Sequence, residues 1–83
     1  MTQFIYSPVA TEKSMLLMEK ENKLTFVVDR KASRNQIKKE VEERFDVKVI
    51  SVNILVSKRG KKAIVSLAEG YSAEDVGGRI GIF

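Results

Sequence analysis

A small single-domain α+β sandwich, in the order β-α-β-α-β-β-α, is the fold class that this sequence predicts. Two segments with helical spacing alternate with β-branched runs, which places strands and helices in turn along the chain. The last two β runs, VNILVS and AIVSL, are separated only by Lys58-Arg59-Gly60-Lys61-Lys62, the spacing of an antiparallel hairpin. With 83 residues, 43% of them hydrophobic, the chain supports one thin core spanning residues 1–83. These features together predict a four-stranded, mostly antiparallel sheet with helices packed on it.

Pro8 biases Ser7 toward extended backbone, so Phe4 to Pro8 reads as a short strand or arm. Thr11 is a natural N-cap, and Glu12 suits the positive end of the helix it starts. That helix runs to about Glu21 and stops at Asn22, a residue that tolerates the left-handed conformation. Leu24 to Val28 alternates and reads as a strand, with Leu24, Phe26 and Val28 on one face. Ser33 and Gln36 form a capping box, and behind them Ile37, Val41 and Phe45 recur every four residues. Val47 to Val56 is a long strand expected to turn Ile50, Val52, Ile54 and Val56 to one face and Ser51 and Asn53 to the other. Gly60 supplies a positive φ in the hairpin turn, and Ala63 to Leu67 returns. Ser72, Glu74 and Asp75 open a last short helix weakened by Gly77 and Gly78. The closing RIGIF is apolar enough to dock back on the body.

Several kinds of chemistry are excluded by composition. There is no Cys and no His, which removes disulfides, thiolate nucleophiles, imidazole bases and nearly all zinc chemistry. No dinucleotide fingerprint, P-loop, metalloprotease or nucleophile-elbow pattern occurs, and no cofactor or metal is expected. An enzyme is therefore not expected. Neither a bilayer-spanning apolar run nor a signal peptide is legible at the N-terminus, and a cytoplasmic location fits.

The charge is unevenly distributed. Of the fifteen Lys and Arg, eleven lie between Arg30 and Lys62, against only Glu40, Glu42, Glu43 and Asp46. The densest part is the hairpin tip, with Lys58, Arg59, Lys61 and Lys62. Cations so close repel one another and are stabilised by a phosphate backbone that sheds its counterions. Lys and Arg also keep a turn soluble and blunt a sheet edge, so a solvated turn remains the alternative. Arg30, Lys31 and Arg34 flank the second helix's N-terminus, where backbone N–H groups also favour phosphate. Aromatics are sparse, and the motif by which sheets stack single-stranded bases is absent. Phe26 and Phe45 are expected in the core. Any RNA bound here is expected to be read by its folded shape and phosphates. Glu12, Glu19 and Glu21 make the first helix acidic, by charge alone an ordinary solvated face.

An ordered set of short matches runs almost end to end. It comprises Pro8-Val9 with Thr11-Glu12-Lys13, then Asn22-Lys23 leading to Phe26 and Val28, and Ala32 with Ile37-Lys38 and Val41. Phe45-x-Val47-x-Val49-x-x-Val52-Asn53 is the most specific stretch, followed by Lys61-Lys62-Ala63-x-Val65-x-Leu67 and Arg79-Ile80-Gly81-x-Phe83. In this pattern the chain resembles the large-subunit ribosomal protein twenty-three family, found at the rim of the polypeptide exit tunnel.

The resemblance implies a structural protein that binds domain III of the large-subunit rRNA. It also implies contact with neighbouring large-subunit proteins and a docking surface for the signal recognition particle and the membrane translocon. For rRNA it points to Lys58, Arg59, Lys61 and Lys62, with Asn53, Arg34 and Lys38 beside them. For docking it points to Glu12, which matches the family's exposed acidic residue, and to the pair Phe45-Asp46. The bacterial form carries a long loop at the hairpin that reaches into the tunnel. Here the loop is short, as in the archaeal type, so neither a tunnel-lining role nor trigger factor as a partner is expected. A non-ribosomal α+β protein-interaction module is the competing expectation.

Overall fold

The computed structural model describes residues 3–81. Its elements are β1 (Ile5–Pro8), α1 (Glu12–Glu21), β2 (Lys23–Val28), α2 (Arg34–Phe45), β3 (Val49–Ser57), β4 (Gly60–Leu67) and α3 (Ala73–Ile80). The expected order is therefore met. The four strands form a sheet in the order β1-β2-β4-β3, and all three ladders are antiparallel.

Helix ends sit where their capping chemistry puts them. The Thr11 hydroxyl accepts from the Ser14 N–H, while the Ser14 hydroxyl caps the Thr11 N–H in return. Ser33 and Gln36 make the same reciprocal pair at α2. Asn22 closes α1 in the left-handed conformation (φ 57°). Its side chain also bridges forward, donating to the Tyr71 carbonyl and accepting from the Ala73 N–H. One asparagine thus ends α1 and fixes the start of α3, whose own N-cap is Ser72.

Strand alternation sorts the sheet into two faces. Leu24, Phe26 and Val28 lie opposite Val65, Ala63 and Lys61, so one face carries the apolar row of both strands. Onto that face pack Ile37 and Val41 of α2 and Ala73 and Val76 of α3, forming one buried cluster with Ile5, Val49 and Leu67. Phe26 is buried and stacks on Phe45, with ring centroids 5.8 Å apart. α1 adds Met18 to the cluster, while its Leu17 looks toward the other face. That other face carries Thr25, Val27, Lys62, Ile64, Asn53 and Leu55 by register.

β3 departs from its sequence reading at its start. The strand begins at Val49 rather than Val47, and an irregularity between Val49 and Ser51 shifts the register. Val49 is buried, and Ile50 is 66% exposed. The extra residue of a bulge breaks strict alternation, which is why Ile50 leaves the face shared by Val52 and Ile54. Val56 is also exposed (75%) because the sheet outruns its helical cover at the hairpin end. Of the RIGIF tail, Ile80 packs against the core; Ile82 and Phe83 lie outside the described residues.

Glu40 has a larger role than its helical spacing suggests. Besides its ion pair with Arg44 (2.6 Å), its two carboxylate oxygens accept the backbone N–H groups of Phe4 (2.7 Å) and Ile5 (3.0 Å). The side chain therefore fastens the edge strand β1 to α2 across 35 residues of sequence. Glu40→Ala leaves two part-buried donors short of partners, and a loss of about 2 kcal/mol is expected. Urea denaturation should show it as a lower midpoint with little change in slope.

Candidate nucleic-acid interface

The hairpin tip is tighter than the run of five residues suggests. Ser57 pairs with Gly60, leaving Lys58 and Arg59 alone in the turn. Gly60 takes φ 143°, a conformation that disfavours a side chain although space for a Cβ is open. Both turn side chains are exposed. Among the described residues the ion pairs are Lys23–Glu21 and Arg44–Glu40, so neither Lys58, Arg59 nor Lys62 is neutralised by a carboxylate.

Lys61 and Lys62 alternate to opposite faces and do different things. The Lys61 ammonium donates to the carbonyls of Ala32 (2.7 Å) and Arg30 (3.2 Å). It thereby clasps the hairpin to the turn before α2. Lys62 is exposed on the face away from α2. The sequence put Lys61 with the rRNA candidates; the structure gives its charge a task inside the fold.

The same clasp joins two basic segments that are distant in sequence. Val28 is paired with Lys61, so the Asp29–Lys31 turn lies beside the hairpin end. Asp29 is tied down there. It accepts from the Tyr6 hydroxyl (2.6 Å) and the Lys31 N–H (2.8 Å). The phenol bond is the main cause that lowers the Asp29 pKa below the ordinary carboxylate value, and the same bond raises that of Tyr6. The only acid in the turn is thus engaged, while Arg30 and Lys31 face water. Arg34 is the first residue of α2 and Lys38 lies one turn on; both are exposed. Asn53 is exposed on the Lys62 face, opposite Ile64. The result is a basic surface around the tip and the α2 N-terminus, with Lys62 and Asn53 continuing it around the sheet.

The three docking candidates lie outside the turn and the α2 N-terminus, although Glu12 is flanked by Thr11 and Lys13, which share a groove with Lys62. Glu12 is exposed in the first turn of α1. Phe45 is half-buried at the end of α2, its ring on Phe26, with the Arg79 guanidinium donating to its carbonyl (3.4 Å). Asp46 closes α2 at φ 53° and is exposed. The sequence reading missed this left-handed cap, although Asp is one of the few residues that accept it.

Sequence reading also missed a groove between α1 and the uncovered sheet face. It holds about 210 Å³ and is bordered by Thr11, Lys13 and Leu17 on one side and by Thr25, Leu55, Lys62 and Ile64 on the other. Its signal in sequence is faint: the odd-numbered face of β2 and the even-numbered face of β4 carry a mixture of Thr, Val, Lys and Ile. Among the described residues no cluster of His, Cys, Asp or Glu could hold a metal, and no helix is long and apolar enough to cross a membrane.

The family model for ribosomal protein L23 matches residues 3–74. The chain is 62% identical over 80 residues to the large ribosomal subunit protein uL23 of Picrophilus torridus, covering 96% of this chain and 98% of that one. It is 61% identical over 79 residues to the large ribosomal subunit protein uL23 of Thermoplasma acidophilum, covering 95% and 94%.

Proposed function

The chain belongs to the ribosomal protein L23 family, and on that premise we propose that it is a structural constituent of the large ribosomal subunit. In this reading it anchors to domain III of the large-subunit rRNA near the polypeptide exit tunnel, works in the cytoplasm and has no catalytic task. The observation that carries the reading is the unneutralised basic tip, Lys58 and Arg59 in a two-residue turn with Lys62 beside it, in a chain of this family. Phosphates of a folded RNA neutralise these cations, and backbone contacts fix the protein's orientation without reading sequence. Arg34, Lys38 and Asn53 extend the contact. Lys61 contributes by holding the tip against the Arg30–Ala32 carbonyls.

The opposite charge defines the second surface. Glu12 at the start of α1, and separately Asp46 with the edge of Phe45 at the end of α2, are the acidic positions offered to the signal recognition particle and the translocon, while neighbouring ribosomal proteins cover other parts. The hairpin has no length to enter a tunnel. The curated relatives are covered to 98% and 94% of their lengths, which leaves no room in them for a long inserted loop either.

Crosslinking on intact large subunits tests the assignment of surfaces. Photo-crosslinkers placed at Arg59 and at Asp46 are expected to capture rRNA and protein factors respectively. Capture of protein alone at Arg59, or absence of the chain from purified large subunits, sinks the reading in favour of a free-standing protein-interaction module.

A further inference from the structure

We infer that the groove between α1 and the uncovered sheet face seats a ribose of the bound RNA backbone, with the Thr25 hydroxyl as partner of its 2′-OH. The inference rests on the rRNA-binding reading and names a subsite within it, on the uncovered sheet face and reaching Lys62 of the hairpin. Three observations converge on the groove.

The first is an unsatisfied hydroxyl. Thr25 is 9% exposed, and its Oγ1 is buried without any hydrogen-bond partner. A buried polar atom without a partner is costly, and a valine of the same shape would remove the cost. Thr25 lies on the odd face of β2, between Leu24 and Phe26 of the core face, and lines the groove. The second is charge: Lys13 and Lys62 flank the groove from α1 and β4, and no carboxylate is among the side chains that line it. The third is the lining between them, where Leu17, Leu55 and Ile64 give an apolar wall.

These features suit one occupant. A peptide segment without carboxylates would leave two ammonium groups without counter-charge, and one with them would leave the buried threonine hydroxyl without a matched sugar hydroxyl. A sugar–phosphate backbone supplies phosphates to Lys13 and Lys62, a C–H face to the leucines and Ile64, and a hydroxyl to Thr25. The ribose 2′-OH both donates and accepts, as does the threonine, and it distinguishes RNA from DNA. The Thr25 hydroxyl is closed to solvent, so entry needs a side-chain rearrangement in the groove lining, for which the exposed Lys13 and Lys62 have the freedom. The groove contains no aromatic side chain, so it is shaped for the backbone rather than for a stacked base.

The test compares the full-length chain with Thr25→Val and Thr25→Ser on a domain III transcript. Copies of the transcript carry single 2′-deoxy nucleotides at scattered positions. For the wild type, at least one deoxy position is expected to weaken binding about three- to tenfold, the value of one hydrogen bond. Thr25→Val is expected to bind unmodified transcript with that same loss, to ignore the deoxy substitution, and to melt no lower than wild type. Thr25→Ser is expected to keep the sensitivity. If wild type binds and no deoxy position discriminates it from Thr25→Val, the groove assignment is overturned while the hairpin anchor stands. If wild type does not bind the transcript at all, both fall.

Discussion

Reversing Lys58, Arg59 and Lys62 together to Glu is expected to abolish most of the affinity for a domain III transcript while leaving the fold intact. Each phosphate contact contributes a slope of about −0.9 to the dependence of log K on log salt, which at ~0.1 M is roughly a tenfold gain in affinity. Three lost contacts therefore predict a loss on the order of 10³-fold, with a salt slope smaller by about two to three. Repulsion by the new carboxylates adds to this. The three side chains are exposed and make no ion pair, so the melting temperature should barely move. Lys61→Glu is the informative contrast. Its ammonium holds the Ala32 and Arg30 carbonyls, and a carboxylate there would face two acceptors. That variant should be destabilised first and lose RNA affinity only through the displaced turn. Filter binding over a salt series, beside thermal melts, separates the two outcomes. An unchanged affinity for the triple reversal would show that the tip is only a solvated turn.

Local chemistry made most of this fold readable, and long-range chemistry did not. Thr11, Asn22, Ser33 and Ser72 end or begin helices by bonds to residues within a few positions, so the sequence shows them directly. The hairpin was equally clear, because Gly60 follows two cations between β-branched runs, but the turn is tighter than the sequence suggested: Ser57 pairs with Gly60 and only Lys58 and Arg59 are left in it. The bulge that exposes Ile50 was hidden, since alternation alone cannot say where a strand gains an extra residue. The Glu40 bonds to Phe4 and Ile5 were hidden too, and for a different reason. Spacing offered Arg44 as the partner, while the decisive partners are backbone groups on a strand far away in sequence.

The candidate site divides in the same way. Charge density singled out Lys58, Arg59, Lys61 and Lys62 as candidates, because repulsion among near neighbours is visible in a sequence. It could not separate Lys61 from the other three, because alternation sends adjacent residues to opposite faces and only the register with Val28 places Lys61 over the turn before α2. The docking pair shows a similar split. Asp46 is exposed, and its left-handed cap makes Asp46→Asn a safer probe than Asp46→Ala. Phe45 is committed to the core on one side. A docking defect in a Phe45 variant therefore mixes two causes, whereas Glu12→Gln and Asp46→Asn alter only charge.

Phe26→Ala is expected to be the most damaging single substitution in the chain. The ring is 1% exposed, sits on β2, one of the two inner strands, and carries the stacked Phe45 at 5.8 Å. Truncating a buried phenylalanine costs about 3–5 kcal/mol, and losing the ring pair contributes about 0.5–1.5 kcal/mol of such a loss. A domain of this size holds only about 4–12 kcal/mol in total, at ~0.05–0.15 kcal/mol per residue. Neighbours have little means of closing the gap, because Ala63 opposite Phe26 is already small and the other wall is the helix carrying Ile37 and Val41. The isolated variant should therefore be largely unfolded at 37 °C, or melt well below wild type. Phe45→Ala, half-buried at the end of α2, should cost less. The order matters for the ribosomal reading. RNA that binds only the folded chain stabilises it by mass action, gaining about 2.7 kcal/mol at a hundredfold excess over Kd. Phe26→Ala should thus recover structure when a domain III transcript is added, with unchanged Lys58, Arg59 and Lys62 still on the tip. Far-UV circular dichroism of the chain with and without transcript checks this. A variant as stable as wild type would show that the Phe26–Phe45 stack does not hold the helices to the sheet. One that stays unfolded in saturating RNA would show that the basic tip binds too weakly to offset the lost core.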